Sequence, residues 1–386
     1  MIMDYNLNEE QQEILEIAHR IAEEKVKPVR AELDEKEEFP GELMKLFAQS
    51  DLMGLYIPEE YGGMGYGAFE LALVMEEISR VCAGVAVSYA ANALGAYPIL
   101  LFSSEEQKKK YLTPIASGEK LVAFGLTESN AGSDVAAMET IAYKDGDEYV
   151  LNGTKQWITN GAEADIYTVF AITDKKRGAR GISCFIVEKD TPGFTFGKKE
   201  KKLGIRCSST SELVFQDCRV PAENLIRREG AGFLIAMKTF EKSRPCIGAQ
   251  AVGIAQGAME EAMKFAKERE QFGKAVINFQ AIQFMIADMA MQIEAARGLV
   301  LNAAKNVDAD AKNADISSAM AKAFASDVSM KVTVDAIQVC GGSGYMRDYP
   351  VEKYMRDAKI TQIYEGTNQI MRSIIALGLI KRLHIH

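Results

Sequence analysis

The sequence is poor in histidine and tryptophan. Only three of its 386 residues are His and one is Trp. His19 lies in a helical pattern, whereas His384 and His386 lie in a tail of the kind that usually frays. This scarcity argues against a histidine-dependent catalytic triad and against a zinc site. We therefore expect the chemistry to come from carboxylates, arginine, backbone groups or a bound cofactor.

Disulfide and targeting patterns are also missing. The six cysteines are scattered and form no Cys-x-x-Cys pair, which in a chain of this length indicates reduced, mostly buried thiols. No apolar run approaches the roughly 20 residues that a membrane helix needs, so no membrane span is expected. The acidic N-terminal segment has neither an apolar signal core nor an Arg/Ser-rich transit pattern. These features predict a cytoplasmic protein of a prokaryote.

The charge balance narrows the class of partner. A formal net charge of −9 argues against nucleic acid or an anionic membrane as the main partner, because both would repel the chain at long range. The composition, with 48% hydrophobic and 26% charged residues, is ordinary for a globular protein. The length suggests two or three domains.

The hydrophobic periodicity changes twice along the chain. Residues 1–120 have helical spacing, with a capping box predicted at Asn8 and Gln11. Residues 121–225 contain short β-rich segments separated by turn residues, which predicts an antiparallel sheet. Residues 226–386 are helical again, and a run of glycines and alanines at 248–258 is typical of closely packed helices. The order of helices, sheet and helices predicts an α+β fold with three domains at these boundaries.

Two dipeptides in the β-rich region are typical of hairpin turns. These are Asp145-Gly146 and Asn152-Gly153. A third glycine pattern, at residues 63–68, matches the bare string G-x-G-x-x-A, but it lies between helices and follows no strand. We interpret it as a loop rather than a dinucleotide site. The glycines at 341–344 follow a helical pattern and predict a helix stop, while phosphate binding by their amides stays open.

Two residues allow both a structural and a chemical interpretation. Trp157 lies in a strand beside Thr159, and the pattern favours a place at the edge of the sheet core. Alternatively, a flat aromatic ring next to a hydroxyl group is suited to binding a planar heterocycle. Glu365 precedes an apolar stretch for which Thr367 is a candidate N-cap. Alternatively, Glu365 is a base in a partly desolvated pocket, where burial raises the pKa of a carboxyl group.

Six segments taken together resemble the acyl-CoA dehydrogenase family, nearest its medium-chain and short-chain members. They are LTE to AGSD at 126–134, QWITNG at 156–161, REQFGK at 269–274, QVCGGSG at 338–344, MRDA at 355–358 and IYEGT at 363–367. The likeness covers nearly the whole chain in order. It implies an N-terminal helical domain, a middle β-domain and a C-terminal four-helix bundle. It also implies bound FAD, a homotetramer, an acyl-CoA substrate and an electron-transfer flavoprotein as the electron acceptor.

The resemblance carries residue roles with it. Glu365 would take the α-proton, while the β-hydrogen leaves as hydride to the flavin. The residues that would contact FAD, some of them in a neighbouring subunit, are Phe124, Leu126, Thr127, Ser133, Trp157, Ile158, Thr159, Arg269, Gln271, Phe272, Gln280, Gln338, Gly342, Thr367 and Gln369. Those that would contact the substrate are Tyr89, Ser133, Glu241, Arg244, Tyr364 and Gly366.

Some residues differ from the family pattern, and others indicate which branches of the family the chain does not resemble. The family's Glu-Pro is Glu128-Ser129 here, a change that we expect to be tolerated. Branches that place the base on the helix near Arg244 would put it at Ser243, which has no carboxylate. Glutaryl-type relatives carry an arginine in the segment 81–98, and none is present. The pattern does not determine the acyl chain of the substrate. An acyl-CoA oxidase, an enoyl-CoA reductase and a non-catalytic flavin- or acyl-CoA-binding protein with the same fold remain alternatives.

Overall fold

The computed structural model describes residues 5–383, so the prediction for His384 and His386 lies outside the described residues. The N-terminal region is helical, and the capping box at Asn8 and Gln11 is confirmed by reciprocal bonds of 2.8 and 3.1 Å. A π-helical turn, Ala22–Val26, follows the first helix. The helices are α1 (Glu9–Ile21), α2 (Arg30–Lys36), α3 (Gly41–Gln49), α4 (Ala68–Val81), α5 (Ala83–Phe102) and α6 (Glu105–Ala116).

Helix α5 contradicts the expectation that no apolar run approaches 20 residues. Its 20 residues have a mean hydropathy of 1.5 over an 18-residue window, so it is long and apolar enough to cross a membrane by length and composition. However, 78% of that window is buried inside the protein, as expected for the central helix of a core. The polar residues Ser88 and Asn92 interrupt the apolar run in the sequence. Both are buried, and each donates a hydrogen bond to a backbone carbonyl of the same helix.

Seven strands of the middle region form one sheet. Its order is β1-β4-β2-β3-β7-β6, and β5 pairs with β4. The strands are β1 (Val122–Gly125), β2 (Ile141–Asp145), β3 (Glu148–Thr159), β4 (Ile166–Ile172), β5 (Ile182–Glu188), β6 (Phe194–Lys199) and β7 (Thr210–Pro221). The sheet is mixed rather than antiparallel, because β1 runs parallel to β4 and places Phe124 opposite Thr168. Strand alternation does not encode direction, so the sequence pattern could not distinguish the two cases.

One of the two predicted turns is wrong. The hairpin at Asp145-Gly146 is confirmed, with Asp145 paired to Glu148. Asn152-Gly153 instead lies inside β3 at a bulge opposite β7. Gly153 has φ 146°, and a Cβ there would lie 2.5 Å from Oγ1 of Thr140. The glycine therefore permits close packing within a strand rather than reversal of the chain.

The C-terminal region contains five helices and a small hairpin among the described residues. They are α7 (Gly232–Glu268), β8 (Glu270–Gln271), β9 (Lys274–Ala275), α8 (Gln280–Asp308), α9 (Ala314–Cys340), α10 (Val351–Thr361) and α11 (Asn368–Leu383). The small residues of α7 make a close helix contact, as predicted. A Cβ on Gly253 would lie 2.2 Å from the carbonyl of Glu76, and one on Gly257 would lie 2.0 Å from that of Arg80. Helix α7 therefore packs backbone to backbone on α4.

The remaining glycine motifs also behave as predicted. The three glycines of the string at 63–68 lie in the loop that precedes α4, after a 3₁₀ turn at Glu59–Tyr61, and Ala68 begins the helix. No strand precedes it in the described part of the chain, which excludes the dinucleotide fingerprint. Helix α9 ends at Cys340, and Gly341 has φ 58°, so this glycine allows the chain to leave the helix.

Candidate active site

Glu365 lies in a turn between α10 and α11. Two successive residues of this turn have left-handed backbone angles, with φ 53° at Glu365 and 97° at Gly366. A non-glycine residue in this region costs on the order of 1 kcal/mol or more, so neighbouring groups must hold it there. Oγ1 of Thr367 accepts a hydrogen bond of 3.3 Å from the backbone N–H of Ile370, which confirms it as the cap of α11. The same turn therefore starts a helix and presents a carboxylate.

Two consecutive residues of α7 hold Glu365. Oγ of Ser243 donates a 2.5 Å hydrogen bond to Oε2 of Glu365, and Nε of Arg244 donates a 3.2 Å bond to its backbone carbonyl. Burial raises the pKa of Glu365 to about 7, although the Ser243 hydrogen bond and the charges of Arg244 and Lys322 lower it. A carboxyl group with a pKa near neutrality is matched to proton transfer near pH 7. The geometry therefore favours the base over a purely helix-capping role.

Aromatic contacts connect this turn to the sheet. The guanidinium of buried Arg244 lies 5.6 Å from the ring centre of Phe240, whose ring meets that of Phe124 at 5.6 Å. Tyr364 donates its hydroxyl hydrogen to Gln250 on α7. By contrast, Glu241 pairs with Lys238 at 2.8 Å. Arg244, Tyr364 and Gly366 thus surround Glu365, whereas Glu241 lies on a surface cleft beside α9.

Trp157 does not lie in the sheet core. Its residue is 54% exposed and has φ 59°, at a bulge of β3 where the pairing with β7 shifts between Lys155 and Ile158. The neighbouring Gln156 donates its backbone N–H to the carbonyl of Thr127 at 2.8 Å. Oε1 of Gln156 is buried and has no hydrogen-bond partner among the described residues. An exposed indole beside an unused polar atom fits a planar, hydrogen-bonding heterocycle.

The other candidate residues of the middle region lie on the same two segments. Leu126 and Ile158 are buried, Thr127 and Thr159 are partly buried, and Ser133 is exposed on the loop that follows β1. Bonds between Gln156 and Thr127 and between Lys155 and Glu128 join the loop to the bulge of β3. The structure therefore joins the two segments that carry these predicted residues next to Trp157.

A second group of candidates has no hydrogen bond to Glu365 or to Trp157 among residues 5–383. Phe272 is 93% exposed at the tip of the β8–β9 hairpin. The hairpin residues Arg269 and Gln271 are exposed, as are Gln280, Gln338, Gly342 and Gln369. Tyr89 is buried and donates its hydroxyl hydrogen to the carbonyl of Leu52 at 2.8 Å.

Three side chains around the turn were missed by sequence reasoning. Ser243 was considered only as a residue that cannot be the base, and Gln250 and Lys322 were not considered. Of the three, Lys322 is the one that the sequence could have indicated, because it is an isolated charge in the stretch of small and apolar residues at 318–326. Its Nζ donates to the carbonyl of Gly366 at 2.8 Å, directly after Glu365.

The fold presents a carboxyl group with a pKa raised to about 7 on the helical bundle and an exposed aromatic ring at a bulge of the sheet, an arrangement typical of an enzyme. Models of the acyl-CoA dehydrogenase N-terminal, middle and C-terminal domains match residues 8–119, 123–218 and 230–380. The chain belongs to the acyl-CoA dehydrogenase family. It is an FAD-dependent oxidoreductase that dehydrogenates acyl-CoA thioesters.

Individual relatives are similar along their whole length. Probable acyl-CoA dehydrogenase FadE25 of Mycobacterium tuberculosis is 48% identical over 377 residues, covering 98% of this chain and 97% of the relative. Butyryl-CoA dehydrogenase from Megasphaera elsdenii superposes with a TM-score of 0.96 at 48% identity, covering 98% of this chain and 100% of that one. A chain in a structure described as the electron transferring flavoprotein of Acidaminococcus fermentans superposes with a TM-score of 0.96. It is 52% identical, and the match covers 98% of this chain and 99% of that one. These relatives are bacterial, and the similarity confirms the predicted fold class.

Proposed function

We propose that Glu365 is the base that removes the α-proton of the acyl-CoA substrate. The observation that carries this proposal is a carboxylate whose pKa is raised to about 7 by burial, in a strained turn anchored to α7. Further exclusion of water by a bound acyl chain would strengthen the base. A Glu in this turn is also the only acidic residue of the matched motif IYEGT.

The turn also offers a donor for the thioester oxygen. The backbone N–H of Glu365 makes no hydrogen bond within the described part of the chain. A fixed N–H beside the base stabilises negative charge that develops on the thioester oxygen as the α-proton leaves. The buried guanidinium of Arg244 adds positive charge near the same place.

Trp157, Thr159 and the segment 126–133 fit the flavin ring. Beside them lies Oε1 of Gln156, which has no hydrogen-bond partner within residues 5–383. When bound, FAD supplies the acceptor for the β-hydrogen, which leaves as hydride. The residues of this chain position the ring, exclude water and hold the proton on Glu365.

The second group of candidates supports a shared cofactor site in a homotetramer. Exposed hydrophobic residues near these candidates, with Phe272 at 93%, Phe284 at 61% and Met291 at 64% exposure, suit burial against another copy of the chain. In that assembly Arg269, Gln271, Phe272 and Gln280 would hold the adenine-diphosphate end of a neighbour's FAD. Gln338, Gly342, Thr367 and Gln369 would complete the same end.

We further propose a short acyl chain, an electron-transfer flavoprotein as electron acceptor and a cytoplasmic location. The butyryl-CoA dehydrogenase match supports the chain length, and the match named as an electron transferring flavoprotein supports the acceptor. Tyr89, buried on α5, is the side chain expected to limit the pocket. The lack of an arginine at 81–98 disfavours a dicarboxylic acyl group.

Anaerobic titration of the yellow enzyme with butyryl-, octanoyl-, isovaleryl- and glutaryl-CoA tests the substrate. We expect flavin bleaching to be fastest with butyryl-CoA, and absence of bleaching with every thioester would overturn the proposal. Fast reoxidation of the bleached enzyme in air, without an electron-transfer flavoprotein, would indicate an oxidase. Reconstitution of the apoprotein with FAD should quench the fluorescence of Trp157, because the ring would stack close to it.

A further inference from the structure

Lys322 is a fully buried cation directly behind the turn that carries Glu365. It lies on α9 and has 0% exposure. Its Nζ donates hydrogen bonds to the carbonyl of Gly366 at 2.8 Å and to Oδ1 of Asn368 at 3.0 Å. No carboxylate of the described residues forms an ion pair with it. A buried ammonium without such a partner is costly, so its retention requires a reason.

The hydrogen bonds of Lys322 complete a clamp on the strained turn. Arg244 on α7 binds the carbonyl of Glu365, and Lys322 on α9 binds the next carbonyl, that of Gly366. Asn368, at the start of α11, is buried and donates to Asp327 and to Oγ of Ser326, both at 2.8 Å. The two left-handed residues are therefore fixed between two helices by cationic donors.

The charges around Glu365 come from three packed elements. Arg244 and Cys246 lie on α7, Tyr364 precedes the carboxylate, and Lys322 faces it from α9. The charged groups that act on Lys322 are Glu365, Arg244 and Asp327. Burial lowers the pKa of Lys322 to about 7, and the carboxylate of Glu365 opposes that shift.

We infer that Lys322 is a positioning residue for the reaction, holding the left-handed turn and supplying the positive charge that keeps Glu365 ionised in its partly buried site. The inference rests on the proposed role of Glu365 as base. Lys322 contacts neither substrate nor cofactor in this role; it acts through the carbonyl of Gly366 and through its charge.

The test is the pH dependence of flavin reduction, measured by stopped flow at saturating butyryl-CoA in the FAD-loaded enzyme. In the wild type the rate should rise as Glu365 loses its proton and fall as Lys322 loses its own. Lys322→Met removes the cation, so the acid limb should move up by about one pH unit. Lys322→Arg keeps a charge that is not lost below pH 12, so activity should extend to higher pH. Lys331→Met, which removes an exposed charge from the same helix, should leave the profile unchanged.

A second readout follows Glu365 directly. The infrared band of its protonated carboxyl group, assigned by its loss in Glu365→Gln, should persist to higher pH in Lys322→Met. If both Lys322 variants lower the rate by one factor at every pH and leave this band unmoved, the role is only structural and the inference is overturned. Where Lys322→Met does not retain FAD, Lys322→Gln replaces it, because an amide still donates to the carbonyl of Gly366. If Glu365→Gln bleaches at the wild-type rate, the base assignment itself fails, independently of Lys322.

Discussion

Ser243 donates a hydrogen bond of 2.5 Å to the carboxylate of Glu365, from a residue 122 positions earlier in the chain. Ser243, which cannot supply the base, therefore holds the carboxylate that we propose as the base. A donor to the ionised form of a carboxyl group lowers its pKa and so opposes the effect of burial. The proton affinity of Glu365 is set by burial on one side and by this hydrogen bond and the charges of Arg244 and Lys322 on the other.

Glu365→Gln should retain bound FAD and lose flavin bleaching. The amide keeps the shape of the side chain but cannot accept the α-proton, so the reduction rate should fall about 10²–10⁴-fold. The measurement is anaerobic single turnover with butyryl-CoA. Glu119→Gln, at an exposed site, changes the net charge equally and should bleach normally. Wild-type bleaching by Glu365→Gln would show that another group is the base.

Ser243→Ala should shift the acid limb of the rate profile upward by about one to two pH units, since the lost hydrogen bond to an ionised group is worth about 1.5–3 kcal/mol. The sign follows from the pKa: Glu365 without this donor holds its proton to higher pH, so activity is lost first on the acid side. Ser243→Thr keeps a hydroxyl group and should retain the wild-type profile. An unchanged profile for Ser243→Ala would mean that the hydrogen bond does not persist in the loaded enzyme.

Lys155→Met should lower the free energy of unfolding by about 3–5 kcal/mol, because it leaves a buried carboxylate without its cation. Nζ of Lys155 lies 2.6 Å from Glu128 and both side chains are buried. Glu128 also accepts backbone N–H groups of Glu139 and Thr140, so the loop that lines the proposed flavin site should loosen as well. Urea unfolding and FAD affinity report the two effects. Lys45→Met, at an exposed ion pair, should change neither, and equal effects of the two variants would refute the assignment.

Gly257→Ala should destabilise the protein by at least about 1–3 kcal/mol, since its Cβ would lie 2.0 Å from the backbone carbonyl of Arg80. The contact is between two helix backbones and cannot relax by rotation of a side chain. Gly298→Ala on α8 is the matched control, because nothing lies within 4 Å of its Cβ. That variant should stabilise the helix by about 0.5–1 kcal/mol. Thermal unfolding of the two variants at one protein concentration tests the difference, and a stable Gly257→Ala would show that α4 and α7 can separate.

The sequence by itself determined the order of helices, sheet and helices and, through six short segments taken together, the family; it offered Thr367 as a candidate cap. These features depend on local periodicity and on short motifs, which are written in neighbouring residues. The same locality explains the failures. Asn152-Gly153 has the composition of a turn, and only the shift in register of β3 against β7 and the approach of Thr140, the residue before β2, reveal a bulge. Likewise, the indole of Trp157 is exposed because the register of β3 against β7 shifts beside it.

Only the tertiary structure decided what surrounds Glu365. Ser243 and Arg244 come from α7 and Lys322 from α9, and no spacing in the sequence relates them to the turn that they hold. The pKa of a carboxyl group depends on burial and on charges and donors within a few ångströms, which are properties of packing. A motif can therefore point to a candidate base, but the proton affinity of its carboxyl group is fixed by helices that meet it only in the folded chain.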